Sequence, residues 1–306
     1  MSSRKYIISR LFDSILIYIV DFFLCFFLLF YIPIRSRGIS INIWYLFMLY
    51  LRLIFIEKFG KSVWGYPVLE VVKIGLFRTI LILLPAILFA TVIGYFLGVR
   101  AAWKRKSIEE TFSSSFWLLC YGLPVFSTGL LFVIIFSVEL DLLPIYGLQT
   151  PAVAYKNWVE YVIDTVRHLV LPIAALTLTT TGIFFLIMKS SVLRTLNENF
   201  IQTAKAKGLS DNQIMYKHAA RASLSSAIDI FGLSIVLLST SEILVEYTFS
   251  IYGLGLILYR AIAGLEYLNI GVASFLLYSA IIIAVSFLLD IIRSFIDPRI
   301  TTEAEK

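Results

Sequence analysis

A phosphate-binding loop is the first chemistry the sequence suggests, at Gly60-Lys61-Ser62. Such a loop cradles phosphates with backbone amides and needs a second glycine five positions before the first, where this chain has Phe55. The two histidines, His168 and His218, stand far apart, and no cysteine, histidine or carboxylate spacing matches a metal site. Cys25 and Cys120 lie inside apolar runs, as small buried hydrophobes do. Neither catalytic nor metal-ligating residues are expected. What remains is polar groups at helical spacing in apolar surroundings: Thr177, Thr179, Thr180 and Thr181 beside Gly182, then Asp229, Gly232, Ser239 and Thr240. Polar groups in lipid are costly unless they face a cavity or one another. They are therefore candidates for the lining of a solute path, with ordinary helix packing as the alternative for the threonines. Asp21 is a second ionisable outlier, for which pairing with a neighbouring helix is the plainer reading.

The elements that position these residues are membrane helices. The chain has 306 residues, 59% hydrophobic and only 15% charged, with a mean hydropathy of +0.90; a soluble domain of this length carries far more charge. The net charge of +6 then reads as membrane orientation rather than nucleic-acid binding. Crossing a bilayer takes about 20 apolar residues in helical form. The stretches 11–31, 79–99, 116–137, 168–188, 224–244 and 268–291 qualify, which predicts an all-α, polytopic membrane protein with six transmembrane helices. Arg4, Lys5 and Arg10, the cluster Lys104-Arg105-Lys106, Lys205, Lys207, Lys217 and Arg221, and finally Arg293 and Arg299 mark alternate loops. The positive-inside rule puts both termini in the cytoplasm. The apolar segment 41–56 is short, interrupted by Arg52 and rich in aromatic residues, so it is expected to lie at the outer interface rather than to cross. The basic residues Arg35, Arg37, Lys58, Lys61, Lys73 and Arg78 around it violate the charge rule. The expected organisation is a cytoplasmic N-terminus (1–10), a first helix with an external loop (11–78), a transmembrane domain (79–292) that includes a cytoplasmic loop (194–223), and a cytoplasmic tail (293–306).

That cytoplasmic loop is built with more care than a linker requires. Asn199 to Arg221 reads as two short helices with a sharp break. Gly208 supplies the left-handed residue that closes the first. Ser210 is an N-cap for the second, Gln213 completes a capping box, and Leu209 with Ile214 forms a hydrophobic staple. Ala204, Ala206, Ala219 and Ala220 are small enough to let a partner surface approach. On residues alone, two readings stay open: an amphipathic pair resting on the inner leaflet, or a docking site for another protein.

The loop resembles the EAA-type coupling loop of ABC importer permeases of the oligopeptide/dipeptide branch. The core is Thr203-Ala204-Lys205-Ala206-Lys207-Gly208-Leu209, followed by Lys217-His218-Ala219-Ala220-Arg221. Other landmarks fall in the same order: Gly60-Lys61-Ser62 with Pro67-Val68, Pro124-Val125-Phe126, His168 to Pro172, Glu246 to Gly255 and Asp297-Pro298-Arg299. The resemblance implies a type I ABC importer permease fold and a non-enzymatic subunit of the plasma membrane. Its implied partners are a second homologous permease, two ABC ATPases that would bind ATP and Mg, an extracellular substrate-binding protein and the lipid bilayer, with no nucleic acid and no cofactor of its own. It implies ATPase coupling through Thr203, Ala204, Lys205, Ala206, Lys207, Gly208, Leu209, His218 and Arg221. With transport as the function, the polar spacing described above places the expected translocation path along Thr177, Thr180, Thr181, Asp229, Gly232, Ser239 and Thr240. An outer gate or binding-protein contact is implied at Glu246, Phe249, Gly253 and Gly255. The cargo suggested is di- or oligopeptides, with oligosaccharides or nickel chelates as alternatives, and an ATP-independent secondary transporter as the competing mechanism. Three departures bear on the outer side: Tyr252 stands where proline is usual, Leu265-Glu266 where Arg-Asp is common, and no Pro-Gly-Asp-Pro element follows the first span.

Overall fold

The computed structural model describes residues 3–36, 38, 41–62, 65–223, 238, 240–263 and 268–296, which are helical apart from turns, loops and one isolated bridge between Lys61 and Pro67. The chain divides into two compact units, one formed by Met1–Leu81 and Glu242–Lys306, the other by Ile82–Ser241.

In the first unit, α1 (Ser3–Cys25) runs through a π-helical turn, Phe26–Tyr31, into α2 (Ile32–Ser36). Asn42 caps α3 (Ile43–Phe55) by accepting from the Trp44 amide at 2.8 Å. Thirteen residues span about 20 Å at 1.5 Å per residue, short of the ~30 Å hydrocarbon core. Segment 41–56 is thus a helix too short to cross. It is held by aromatic packing: Phe26 and Phe30 close on Tyr50, whose hydroxyl donates to the Phe22 carbonyl at 3.1 Å. The last long helix of this unit, Leu268–Ile296, contributes Val272 and Leu276 to that core. Asp21 is half-buried on α1. Gly60, with φ +66°, turns the chain so that Ser62 N–H donates to Tyr66 O at 2.7 Å and Val68 N–H to Gly60 O at 3.1 Å. The Gly-Lys-Ser triplet therefore builds the turn into α4 (Val68–Trp103).

In the second unit, α5 (Ile108–Gly122) begins at Ser107, which accepts from the Glu110 amide. The span expected over 116–137 is bent. Residue Leu123 precedes a proline and adopts an extended backbone, as sterics before proline demand. The helix restarts as α6 (Val125–Phe132), continues through a π-helical turn, Val133–Glu139, and is bent by 99° from α5. Next come α7 (Trp158–Thr195) and α8 (Asn199–Ala206). After the helical stretch 240–248, the chain forms α9 (Leu254–Ala263) and α10 (Leu268–Ile296) in the first unit.

Among the described residues, four helices are long and apolar enough to cross a membrane, and the bent α5–α6 pair would make five. Most of the predicted span 224–244 lies outside the described residues, so the count of six is not reached among those described. α4 and α7, of 36 and 38 residues, are ~55 Å long and extend well beyond the hydrocarbon core. α1 carries Ile8, Phe12, Leu16 and Val20 on its outer surface, a composition suited to lipid.

Between the Val133–Glu139 turn and α7, the connecting loop is pinned by Asp164. Its Oδ2 accepts from the Thr150 amide at 2.7 Å and from the Tyr155 hydroxyl at 2.7 Å, and its Oδ1 accepts from the Thr150 hydroxyl at 2.8 Å. Asp164→Ala removes all three bonds. We expect the loop 144–157 to become several-fold more sensitive to limited proteolysis, while the thermal unfolding midpoint of the whole chain shifts little, because the loop contributes little to either core. A loop as protease-resistant as in the unsubstituted chain would show that Asp164 does not hold it.

Candidate coupling loop and translocation path

Helix α8 ends in a Schellman motif. Gly208, at φ +75°, sends its amide to Lys205 O at 3.0 Å, and Leu209 N–H reaches Ala204 O at 3.4 Å, the two bonds that satisfy the last carbonyls of a helix. The chain then restarts as a helix whose turn Gln213–Ala220 is π-helical. Gln213 Oε1 accepts from the Ser210 amide at 3.2 Å, the back-reaching arm of the expected capping box. Ile214 N–H donates to Ser210 O at 3.0 Å. The break between the two helices is therefore specified by local bonds on both sides.

Burial divides the loop into two faces. Ile201, Ala204, Ile214, Met215, Ala219 and Ala220 are buried against Val99, Ala102, Met188 and Val192. Three of the four alanines expected to face a partner instead pack against the chain's own helices; of these four, Ala206 alone is exposed. The reason is geometric: close packing of two short helices on α4 and α7 itself needs small side chains. Leu209 and His218 are half-buried. Thr203, Lys205, Ala206, Lys207, Gly208 and Arg221 are exposed, and with exposed Lys217 they make the outer face polar and basic.

Above this loop, α7 is tied to α5. Lys189 Nζ contacts Glu110 Oε1 and donates to Ser114 Oγ at 2.8 Å, with both charged side chains mostly buried. Gly182 lets the helices meet, since a Cβ there would fall 2.4 Å from Trp117 O and 2.6 Å from Tyr121 Cβ. Where α5 breaks at Leu123-Pro124, a cleft of about 340 Å³ opens, lined by Tyr121, Pro124, Thr179, Thr180, Leu238, Thr240 and Ser241 among others.

Of the predicted path residues, Thr180 and Thr240 line this cleft. Thr177 and Thr181 do not: Thr177 reaches the Ala86 carbonyl at 3.5 Å, and Thr181, fully buried, donates to Thr177 O at 2.7 Å. Their hydroxyls are engaged by backbone carbonyls of α4 and α7. Asp229, Gly232 and Ser239 lie outside the described residues. Thr179, a candidate from its spacing, also lines it, and Tyr121 joins the lining without having been assigned there; Pro124, already a landmark, was the signal that a helix must break beside them.

The residues expected at an outer gate are interior ones. Glu246 is 0% exposed and Phe249 2%, and Gly253 and Gly255 are buried, so none of the four is presented on the surface of the chain. Glu246 instead caps α9. Its Oε2 accepts from the Leu256 amide at 2.7 Å, its Oε1 accepts from the Thr79 hydroxyl at 2.5 Å, and the Thr79 oxygen in turn accepts from the Leu254 amide at 2.8 Å. A carboxylate at a helix N-terminus satisfies orphan amides and meets the positive end of the helix dipole. Gly253 is small because the carboxylate occupies the place of its side chain, a Cβ falling 1.7 Å from Glu246 Oε1. Tyr252, the departure from proline, is bracketed by two cations: Arg78 donates to its carbonyl at 3.2 Å, and Arg260 lies 4.6 Å above its ring and donates to its hydroxyl at 2.5 Å. Leu265 and Glu266, and the closing Asp297-Pro298-Arg299, lie outside the described residues.

The sequence pattern that defines the family described as "binding-protein-dependent transport system inner membrane component" matches residues 90–302, from the middle of α4 through the coupling loop and α10. The chain belongs to this family. It is thus a multi-pass, all-α membrane protein of the ABC importer permease class, and the resemblance read at Thr203 to Leu209 is to its own family. Relatives include the dipeptide transport system permease protein DppB of Alkalihalophilus pseudofirmus, 30% identical over 277 residues, 86% of this chain and 83% of the relative. The di/tripeptide transport system permease protein DppB of Pseudomonas aeruginosa is 32% identical over 71% of this chain and 68% of its own length. The dipeptide transport system permease protein DppB of Escherichia coli is 31% identical over 70% and 68%. Family members work as transport permeases within assemblies of several subunits, so the loop and the cleft of this permease are parts of a larger machine.

Proposed function

We propose that this permease is one of two homologous transmembrane subunits of an ATP-driven importer of di- or oligopeptides in the plasma membrane. Both termini and the loop 194–223 face the cytoplasm, where two ATPase subunits supply ATP hydrolysis, and an extracellular binding protein delivers the cargo. The carrying observation is the two-faced coupling loop. Its apolar face is engaged by the chain's own helices, its bend is specified by the Gly208 and Gln213 bonds, and its exposed face of Thr203, Lys205, Ala206, Lys207 and Arg221 stays open to a partner. A rigid bent element on the surface transmits force; a lipid-resting pair would turn its apolar face outward to the acyl chains. Peptide cargo is supported by the names of the three relatives above. The cleft at the α5 elbow, with the hydroxyls of Tyr121, Thr180 and Thr240, suits a solute rich in hydrogen-bonding groups.

The test is the complete complex, with its binding protein, reconstituted in proteoliposomes and assayed for ATP hydrolysis and uptake. Di- to pentapeptides are expected to stimulate both several-fold. Stimulation by oligosaccharides or nickel chelates alone would keep the ATP-driven mechanism and replace the cargo. Uptake that needs an ion gradient and survives ATP depletion would overturn the mechanism itself.

A further inference from the structure

We propose that Glu242 and Glu246 form a buried carboxyl pair that binds a single proton, held on Glu242. The two residues are four apart on the helical stretch 240–248, hence on one face, and both are 0% exposed. Their surroundings differ. Glu246 accepts from the Thr79 hydroxyl and the Leu256 amide, an acceptor's environment suited to the ionised form. Glu242 receives a hydroxyl on Oε2 from Tyr278 at 3.3 Å, while its Oε1 has no hydrogen-bond donor among the described residues. Its carboxyl lies beside that of Glu246 and near Thr79. The Thr79 proton is directed at Glu246 and its oxygen takes the Leu254 amide, so Thr79 has no second proton to give to Oε1. A buried acceptor without a donor is satisfied only if it becomes a donor, and a carboxyl does so by carrying a proton.

The charged groups nearby do not offer an alternative. Arg78 on α4 and Arg260 on α9 are both engaged at Tyr252, Tyr278 is the phenol facing from α10, and among the described residues no lysine, arginine or histidine forms an ion pair with either glutamate. Two like charges sharing a water-excluded space cannot both persist, and one of the pair then stays neutral. The site is therefore a proton-binding one, and its occupancy keeps Glu246 in place as the cap of α9. Loss of the proton puts a second charge where the donors serve one, which loosens the cap of α9.

The folded chain holds a proton that the unfolded chain releases, so its stability falls as pH rises and the proton leaves. The experiment is infrared spectroscopy of the full chain in lipid nanodiscs, read at the carbonyl stretch of protonated carboxyl groups, alongside thermal unfolding as a function of pH. At neutral pH the unsubstituted chain should show a protonated-carboxyl band that Glu242→Gln removes. That substitution keeps the shape of the neutral acid but needs no proton taken up on folding, so it should raise the neutral-pH unfolding midpoint and flatten its fall toward alkaline pH. A band absent from the unsubstituted chain, or one that persists undiminished in Glu242→Gln, overturns the proposal. So does a midpoint of the unsubstituted chain that does not fall from neutral into alkaline pH, a result that needs no variant to fold.

Discussion

Gly208→Val is expected to reduce ATP-driven uptake by at least about tenfold while the chain still reaches the membrane. The backbone at Gly208 sits at φ +75°, and nothing lies within 4 Å of where a Cβ would be, so the cost is conformational rather than steric. An L-residue in the left-handed region costs roughly 1–2 kcal/mol, more when a β-branched side chain must sit there. If the chain relaxes to escape that cost, it gives up the two bonds from Gly208 and Leu209 to Lys205 and Ala204, each contributing about 1 kcal/mol. Either way, α8 no longer leaves its cap at the same angle, and a shift of 1.4 kcal/mol is a factor of ten in an equilibrium. Substituting other residues sharpens the test, because asparagine tolerates the left-handed region, alanine less so, and valine least. Uptake per ATP hydrolysed, measured in proteoliposomes, should therefore fall in the order Gly, Asn, Ala, Val. Equal coupling ratios across that series would show that the bend is not a lever.

The bend was legible in the sequence because its determinants are local: a left-handed residue, a capping glutamine and a staple within a dozen positions of each other. The long apolar helices were legible for the same kind of reason, since a span needs only length and hydropathy. What the sequence hid was direction. Ala204, Ala219 and Ala220 read as open to a partner, yet a short helix packed on α4 and α7 needs small residues on its inner side, and spacing alone does not say which side is inner. The threonines of α7 posed the same problem: Thr180 lines the cleft while Thr181, one residue on, is closed into the packing. Long-range pairings were out of reach. Glu246 could be seen as an acidic residue near a Gly-Leu-Gly sequence, but its partner Thr79 lies 167 residues away in the chain. A spacing of four between Glu242 and Glu246 inside an apolar run was the available signal, since two carboxylates one turn apart do not enter a hydrophobic segment without a shared purpose.

Gly253→Ala is expected to destabilise the permease by more than about 3 kcal/mol, a larger loss than any exposed substitution in the coupling loop. The added carbon would fall 1.7 Å from Glu246 Oε1 and 2.3 Å from its Cδ, far inside van der Waals contact, so the carboxylate must move. It has no room to move within its site, because the Thr79 hydroxyl and the Leu256 amide hold its two oxygens. Displacement orphans the Leu256 amide at the start of α9 and leaves a buried carboxylate without its donors; the first costs about 1–3 kcal/mol, and stripping a buried charge of its partners about 3–5 kcal/mol. Thermal unfolding in detergent should show a clearly lowered midpoint. The attribution to Glu246 is separable from a general intolerance of alanine. Glu246→Ala removes the group that Gly253→Ala strikes, so the double substitution should be much less destabilising than the sum of the two singles. Additive effects would mean that the glycine is needed for some contact other than the one with the cap.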